Sequence, residues 1–377
     1  MGTAPTAIIL TGYAVDPVLV RGGAQRVAAE ICDRLTELGW TLHVVECAAW
    51  QESIGPDNSF VAGMAGYSST SRRWRDAGSA KVMEAGDVNA VVGDARLVLV
   101  LDRAVGRLST SAHRVLLLSN LAYDNERRAA AHGDHDAVWV PSPYLAKLFV
   151  TVPGHAVGDV HVVPPALTAS RCDTAAHVPL QALQERLTEK GVPRHRRLLF
   201  PHRADPGKGL ITALAVLRQL LAEGRWTLVL VGPGTGEGAD AIAVVDEARQ
   251  YAADADITDH LMWVPWLPQG EMRCLYRLTG ITLMPTTLDE GFGLVAIESV
   301  TQGVPVVAWP AGNLRLLADL FPSIRLADDI VAMARTTSAV SGLKVPDLER
   351  HAGSRMYSVD AQRAAVTAAL YSGAIPG

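Results

Sequence analysis

The stretch ITLMPTTLDEGFGLVAIESVTQGVPVVA, residues 281–308, decides the fold. Its apolar run Ile281–Met284 is typical of a buried strand, residues 290–298 lead into a helix that ends near Gly303, and Pro305–Ala308 is typical of the next strand. Runs that are apolar throughout, rather than alternating, indicate parallel strands covered on both faces. Strand, helix and strand in this order predict a doubly wound α/β architecture.

The same alternation extends along the chain. Between the first two apolar runs, the apolar residues of Ala24–Leu38 keep a 3.6-residue spacing, and Gly39 supplies a C-terminal cap. The runs form two series. They predict strands at Ala7–Leu10, Leu42–Val45, Leu97–Leu101, Val115–Leu118, Ala137–Val140 and His161–Val163, and then at Arg197–Phe200, Leu228–Val231, Met262–Val264, Ile281–Met284 and Pro305–Ala308.

A proline-containing connection, Pro164–His195, separates the two series of strands. The chain of 377 residues also exceeds what one hydrophobic core usually holds. We therefore predict two Rossmann-like domains, 1–165 and 195–350, that face each other across a ligand-binding cleft. A helical pattern near the C-terminus, 355–377, is assigned to the first domain, with the second domain as the alternative.

The composition excludes several classes of protein. Hydrophobic residues make up 49% and charged residues 19% of the chain, which excludes general disorder, and the net charge of −5 gives no footprint for nucleic acid. The apolar runs are too short to span a membrane, and no signal peptide is visible, so we expect a cytoplasmic protein with at most peripheral membrane contact. The four cysteines form no C-x-x-C pair, so neither a zinc ribbon nor a disulfide framework is predicted.

Two carboxylates frame the glycine-rich start of the helix that follows Ile281–Met284. Gly291 and Gly293 leave backbone N–H groups free at a helix N-terminus, where the helix dipole favours a phosphate. Glu298 lies about 12 Å beyond Glu290 at ~1.5 Å per helical residue, in reach of a sugar diol. A carboxylate among apolar helix neighbours is usually paired or used. The pattern favours a sugar or phosphate site over a solvent-facing turn.

Two cations follow the strand Arg197–Phe200. Arg203 and Lys208 lie at the carboxyl end of that strand, where a guanidinium and an ammonium can clamp a diphosphate. The G-x-x-x-x-G-K-[ST] spacing of a P-loop is missing. The alternative is a pair of solvated surface cations.

A second glycine-rich stretch lies near the N-terminus. Gly22 and Gly23 open the helix after the first strand, which allows the backbone to approach a ligand closely. The alternative is a tight loop that needs only backbone freedom.

The segment from Glu290 to Glu298 resembles the E-x7-E motif of retaining GT-B glycosyltransferases, specifically glycosyltransferase family 4. Other pieces follow the order of that family, including Gly22–Gly23 near the start, Arg203 with Lys208, and VPWLP at residues 264–268. The resemblance covers roughly residues 7–320, and its second-domain motifs are the specific ones.

The resemblance implies a retaining, metal-independent transferase without a cofactor, which moves a sugar from a nucleotide-diphosphate sugar to a hydroxyl acceptor. By this resemblance Arg203 and Lys208 bind the diphosphate, Glu290 contacts the donor sugar, and Glu298 holds the ribose hydroxyls. The first domain binds the acceptor, and its Gly22 and Gly23 are among the implied donor contacts. The remaining implied donor contacts are the backbone at Gly291, Phe292, Gly293 and Leu294, with the base near Trp266 and Leu267.

The chain departs from the family pattern at three places, one of which is the segment Ala311–Leu314. Family members often place a His just after the strand that Val115–Leu118 matches, whereas this chain has Ser119 and Asn120 there. Asn120 is the substitute that we predict for the donor-sugar contact. His202 stands before Arg203, where the family usually has a glycine.

Other functions stay open on the same fold. They are a nucleotide-sugar epimerase, a phosphorylase, and a degenerate nucleotide-binding scaffold without turnover. The partners that we expect are a nucleotide-sugar donor and a hydroxylated acceptor, either a small natural product or a glycan. Ser71–Arg75 mixes cations with a tryptophan and is predicted to be a surface loop, with contact to acceptor, anionic lipid or nucleic acid as the alternative. The oligomeric state is left open.

Overall fold

A computed structural model of the chain divides it into two compact units. The first unit contains residues 1–166 and 357–377, and the second contains residues 167–356. From the sequence, the first domain is predicted to end at residue 165 and the second to span residues 195–350. The structure describes residues 4–13, 15, 22–47, 51–54, 60–63, 69–75, 81–83, 92–104, 110–133, 135–154, 159–167, 178–232 and 239–372.

The first unit is built on a sheet of eight strands in the order β10-β9-β8-β7-β1-β2-β5-β6. The strands from β10 to β2 are parallel, β5 and β6 continue the sheet antiparallel, and β3 and β4 form a separate antiparallel pair. The strands are β1 (Thr6–Thr11), β2 (Thr41–Cys47), β3 (Gln51–Ile54), β4 (Phe60–Gly63), β5 (Ser69–Arg73), β6 (Lys81–Met83), β7 (Leu97–Leu101), β8 (His113–Leu117), β9 (Ala137–Val140) and β10 (Asp159–Val162).

Among the described residues of the first segment, three helices accompany this sheet: α1 (Gly23–Glu37), α2 (Asp124–His132) and α3 (Pro143–Phe149). The apolar face of α1 contributes Ile31 and Leu35 to the same buried cluster as Ile9 of β1. Cys32 is also buried there. The amphipathic spacing of α1 therefore translates directly into burial against the sheet.

The prediction of a surface loop at Ser71–Arg75 is wrong. Its first three residues belong to β5, which pairs with β2. The Trp74 ring is buried, its Nε1 donates to Asp33 at 2.9 Å, and Arg75 donates twice to the same carboxylate. Trp74 and Arg75 thus have an intramolecular role, because one carboxylate on α1 binds both side chains.

The second unit carries a parallel sheet of six strands in the order β13-β12-β11-β14-β15-β16. Its strands are β11 (Arg197–Phe200), β12 (Thr227–Val231), β13 (Leu261–Val264), β14 (Ile281–Met284), β15 (Val306–Ala308) and β16 (Ile324–Leu326). Its helices are α4 (Val178–Glu189), α5 (Leu210–Leu221), α6 (Ala239–Asp254), α7 (Gln269–Leu278), α8 (Leu294–Thr301), α9 (Leu314–Leu320), α10 (Ile330–Val340) and α11 (Asp347–Met356). Cys274 on α7 is disulfide-bonded, which the spacing of the cysteines does not predict.

The last helix, α12 (Val359–Ser372), returns to the first unit. Its Val366 and Leu370 are buried in the same cluster as Leu35 of α1. Gln362 Nε2 donates to Glu30 Oε2 at 3.2 Å and to Pro164 O at 3.0 Å. The helix is therefore fixed by apolar packing on one side and by a buried amide on the other.

The predicted fold class is confirmed, since both units are sheets of the Rossmann type with helices between parallel strands. Every predicted strand corresponds to a strand of the structure within one to two residues at its ends. In the part of the chain that the structure describes, no helix is both long and apolar enough to cross a membrane.

Candidate functional site

The candidate site lies where the strand order of the second sheet changes direction. From β11 the chain proceeds to β12 and β13 on one side, and it then crosses to β14 on the other side of β11. In open parallel sheets the crevice at such a switch point, beyond the carboxyl ends of the strands, is the usual ligand site. Arg203 and Lys208 follow β11, and Glu290 follows β14, so the predicted residues converge on this point.

Lys208 and Glu290 form an ion pair across the switch point. Lys208 Nζ lies 2.6 Å from Glu290 Oε1, and the two side chains are 15% and 14% exposed. At this burial the pair is shielded from salt but remains accessible to a ligand from one side. The two residues that the sequence indicates separately are thus one charged unit.

The loop that carries Lys208 is held against the loop after β14. Asp205 accepts a hydrogen bond from Gly207 N at 3.0 Å and so caps a short 3-10 turn, residues 206–208. Thr287 N donates to Gly207 O at 2.9 Å. Gly209 has φ +80°, and a Cβ there would overlap the Pro285 carbonyl. Only glycine allows this close approach, which sets Lys208 beside the β14 loop.

The Glu290 side is fixed by a residue that the sequence analysis missed. Asn313 N donates to Glu290 O at 2.8 Å, and Asn313 Nδ2 donates to Phe292 O at 2.6 Å. Gly312 has φ +55°, and a Cβ there would lie 2.6 Å from both the N and the O of Glu290. The sequence signal for Asn313 is an asparagine directly after a glycine. Once it is buried, its side-chain amide needs hydrogen-bond partners.

The start of α8 lies just beyond Glu290. Gly293 precedes the helix with φ +85°, and no side chain of the described residues caps it. The backbone N–H groups of the first turn of a helix have no intrahelical partners and carry the positive end of the helix dipole. With Lys208, this uncapped end makes the switch point favourable for an anion.

Arg203 and His202 occupy the loop between β11 and the 3-10 turn. The Arg203 side chain is 53% exposed, and its guanidinium lies 3.9 Å from Asp205. His202 is buried, and its Nε2 has no partner among the described residues. Burial, and then the nearby charge of Lys208, lowers the pKa of the His202 imidazole well below its usual value. His202 is therefore neutral at pH 7, and it leaves the positive charge of the loop to Arg203 and Lys208.

Glu298 lies on α8 and is oriented from the neighbouring helix. Tyr276 on α7 is fully buried and donates its hydroxyl to Glu298 Oε2 at 3.0 Å. This bond fixes the orientation of the Glu298 carboxylate.

Trp266 and Leu267 follow β13, two strands away from the switch point on the β12 side. Trp266 is partly exposed, whereas the Leu267 side chain is buried in the core with Met262 and Leu275. Only the backbone of Leu267 is available to a ligand. Phe292 is likewise buried, so its contribution to a site is through its backbone.

Three predicted residues belong to the first unit. Gly22 precedes α1 with extended backbone, and its carbonyl accepts from Arg26 N at 2.9 Å. A Cβ on Gly23 would meet no described atom within 4 Å. Neither a positive φ nor crowding by described atoms explains that glycine. Asn120 follows β8, and its Oδ1 accepts from Leu121 N at 2.8 Å.

Within the described ranges, no group of three or more His, Cys, Asp or Glu side chains is arranged to hold a metal ion. The positive charge at the switch point comes from Lys208, Arg203 and the α8 N-terminus.

Sequence comparison identifies the segment that forms this site. Residues 187–318 match the family described as "Glycosyl transferases group 1". The chain is 31% identical over 193 residues to D-inositol 3-phosphate glycosyltransferase of Streptosporangium roseum, covering 48% of this chain and 40% of that protein. It is 30% identical over 212 residues to 2-deoxystreptamine glucosyltransferase of Streptomyces kanamyceticus, covering 55% and 51%. The matches span about half the length of these curated relatives or less.

Solved structures extend the likeness to both units. Sucrose-phosphate synthase from Thermosynechococcus elongatus has a TM-score of 0.67 at 16% identity, covering 97% of this chain and 98% of that one. Anabaena Alr3699/HepE in complex with UDP and glucose has a TM-score of 0.64 at 15% identity, covering 97% and 99%. These likenesses show the GT-B fold. The match over residues 187–318 bears out the resemblance to glycosyltransferases inferred from Glu290–Glu298, and the predicted GT-B fold is confirmed.

Proposed function

Because residues 187–318 carry a glycosyl transferases group 1 domain, we propose that the protein is a glycosyltransferase that uses a nucleotide-diphosphate sugar. The observation that carries the proposal is the Lys208–Glu290 pair at the switch point, beside the uncapped N-terminus of α8. An accessible cation and free backbone donors suit a diphosphate, and the carboxylate suits the hydroxyls of the attached sugar.

In the proposed complex Lys208 and Arg203 bind the diphosphate. As the bond between the sugar C1 and the phosphate oxygen breaks, negative charge develops on the leaving diphosphate, and these cations stabilise it. Preorganised charge at such a position is usually a large catalytic contribution. No metal is needed for this role, so we propose a metal-independent reaction.

We propose that transfer retains the anomeric configuration. The acceptor hydroxyl attacks C1 on the face from which the diphosphate leaves, the new C1–O bond forms, and the hydroxyl proton passes to the departing phosphate oxygen. Glu290 binds donor-sugar hydroxyls in this scheme and forms no covalent intermediate. A second carboxylate at the spacing of a retaining hydrolase is therefore not required.

Glu298 is the proposed ligand of the ribose hydroxyls. Tyr276 holds one oxygen of the carboxylate at 3.0 Å, which orients the other. The base is proposed to lie along the backbone of Trp266 and Leu267, and the sugar and phosphates along the backbone of residues 291–294.

The first unit is proposed to bind the acceptor. Gly23 is a glycine that the described packing does not require, which fits close approach by a ligand. We propose that Asn120 of this unit contacts the transferred sugar. Two relatives are named for inositol phosphate and 2-deoxystreptamine, both polyhydroxylated rings, so a small cyclic polyol is the first acceptor class to test.

The test is product analysis with a matched pair of variants. UDP-, GDP-, ADP- and dTDP-glucose are each incubated with inositol phosphates and 2-deoxystreptamine in the presence of EDTA, and the anomeric configuration is read by NMR. We expect one donor to give a retained glycoside, lost in Glu290→Gln and kept in Glu247→Gln, which changes an exposed carboxylate of the same unit. An epimerised donor without transfer, a sugar phosphate, or an inverted product would overturn the proposal.

A further inference from the structure

A buried acidic cluster in the first unit has no role in the function proposed above. It lies at the switch point of the first sheet, where β1 and β7 are neighbours although β2 follows β1 in the chain. Tyr13 follows β1, Asp102 follows β7, and Ser119 follows β8. Asp102 and Glu126 of α2 are 3% and 5% exposed.

Asp102 is the centre of a converging set of hydrogen bonds. Its Oδ1 accepts from Ser119 N at 2.6 Å, and its Oδ2 accepts from Ser119 Oγ at 2.7 Å and from Tyr13 OH at 3.1 Å. Asn125 Nδ2 donates to the Asp102 carbonyl at 2.9 Å. Asp102 also has φ +51°, in the left-handed region that a residue with a Cβ rarely adopts. Such a backbone persists only where surrounding contacts hold it.

Glu126 is the second carboxylate of the cluster. Ser119 Oγ lies 3.5 Å from Glu126 Oε1, and Tyr123 N donates to Glu126 Oε2 at 3.4 Å. Asp102 therefore holds the beginning of the turn 119–123 and Glu126 holds its end. Asn120 lies between these two attachment points.

The two carboxylates cannot both be charged without cost in this environment. Burial raises the pKa of Asp102, and burial together with the charge of Asp102 raises the pKa of Glu126 to about 8. Arg103 favours the charged form of Asp102, and Arg127 favours that of Glu126. Burial and the same aspartate raise the pKa of Tyr13 well above its usual value, so Tyr13 stays a donor.

The hydrogen bonds decide which carboxylate keeps the proton. Three donors point at Asp102, and donors to a carboxylate favour its ionised form. Glu126 accepts one backbone donor at 3.4 Å. A protonated Glu126 can donate a hydrogen bond to Ser119 Oγ, while the Ser119 hydroxyl donates to Asp102. Each hydroxyl in this series of hydrogen bonds then has an acceptor.

We propose that Asp102 and Glu126 share one proton and act as positioning residues, which together hold the turn 119–123 and its Asn120 in place for sugar transfer. The proposal rests on the transferase function proposed above. Loss of the shared proton leaves two buried like charges, separated by one serine hydroxyl, and loosens the turn. The transfer rate therefore falls as the pH rises through about 8.

The first test needs neither donor nor acceptor. Infrared difference spectroscopy of the full chain follows the C=O stretch of a protonated carboxyl group during a pH titration. We expect a band that disappears as the pH rises through about 8 and that is absent in Glu126→Gln. Asp360→Asn is the matched control, because Asp360 belongs to the same unit and is 91% exposed. Absence of the band from the wild type, or its persistence in Glu126→Gln, would overturn the proposal.

The second test measures positioning. Amide hydrogen exchange of residues 119–123 is expected to accelerate in Asp102→Asn and to stay unchanged in Asp360→Asn. With a working donor and acceptor, Asp102→Asn is expected to lower kcat by about 10- to 100-fold, the size of effect that a small misplacement causes, with the donor KM unchanged. Glu126→Gln mimics the protonated form, so it should keep the neutral-pH rate and lose the alkaline fall.

The outcomes separate the two proposals. A wild type that transfers sugar with the same alkaline profile in Glu126→Gln would refute the positioning role and leave the transferase intact. A wild type that transfers from no donor would refute the transferase, while the infrared titration would still decide whether the proton is shared.

Discussion

Lys208 Nζ lies 2.6 Å from Glu290 Oε1, although the two residues are 82 positions apart in the chain. They meet because β11 and β14 are adjacent parallel strands, and each residue sits in the loop that follows one of them. The pair joins the cation proposed for the diphosphate to the carboxylate proposed for the sugar. In the proposed function, donor binding therefore depends on one electrostatic contact.

Replacing Lys208 should lower both the transfer rate and the stability, and a second substitution should restore only the stability. Lys208→Ala is expected to lower kcat by about 10²- to 10³-fold, as removal of a group that stabilises developing charge does. It should also lower the free energy of unfolding by about 1–3 kcal/mol, because Glu290 loses a charged partner. The double variant Lys208→Met with Glu290→Gln removes both charges and should recover stability without activity. Chemical denaturation and a transfer assay measure the two effects. Recovery of activity in the double variant would contradict the account.

Asn313 is expected to matter for donor binding although it is not proposed to touch the donor. Asn313→Ala removes the bond to the Phe292 carbonyl and leaves a cavity beside residues 290–292. We expect the free energy of unfolding to fall by about 1–3 kcal/mol and the Kd for the nucleoside diphosphate to rise. Calorimetry at a temperature where the variant is fully folded checks the second effect. An unchanged Kd would show that the loop needs no support from Asn313.

Tyr276 offers a mild change at the ribose end of the site. Tyr276→Phe keeps the buried ring and removes only the hydroxyl that donates to Glu298. We expect nucleoside diphosphate affinity to fall about 3- to 10-fold, which corresponds to about 0.5–1.5 kcal/mol for one hydrogen bond. A nucleotide that lacks both ribose hydroxyls should bind the wild type and the variant equally. Equal loss for both nucleotides would place the effect elsewhere than at Glu298.

The protonation of Glu126 predicts how stability depends on pH. The folded-state pKa of about 8 exceeds the reference value of 4.5. Between these values the folded state keeps a proton that the unfolded state releases, so the stabilisation is full below about pH 4.5 and is lost as the pH rises through about 8. The slope is at most about 1.4 kcal/mol per pH unit for one proton. Urea denaturation should show this fall in stability in the wild type and in Asp360→Asn, which changes a carboxylate that is 91% exposed. The same slope in Glu126→Gln would contradict the prediction.

Much of the fold follows from the sequence because its central strands are apolar runs long enough to recognise. Leu97–Leu101 and Ile281–Met284 are buried throughout, as such runs require. The strand β5, with the sequence STSRR, carries no such pattern, since its pairing with β2 makes it a strand. Local sequence does not encode that tertiary contact.

The candidate site was predictable in its residue types but not in its connections. Glycines and charges beside strands indicate Lys208, Arg203 and Glu290 individually. The support from Asn313 crosses 21 positions to a backbone carbonyl, and Ser119 reaches Asp102 across 17 positions. A sequence pattern of short spacing cannot register such bonds, because they exist only once the strands are ordered in the sheet.

The most direct test of the central claim is a thermal-shift panel with UDP, GDP, ADP, dTDP and NAD, each with and without EDTA. A ligand that binds only the folded state raises the apparent melting temperature. We expect one nucleoside diphosphate to raise the Tm of the wild type and of Lys344→Ala, which replaces an exposed lysine of the same unit, regardless of EDTA. We also expect Lys208→Ala and Glu298→Ala to abolish the shift. A shift with NAD alone, no shift with any nucleoside diphosphate, or an undiminished shift in Lys208→Ala would contradict that claim.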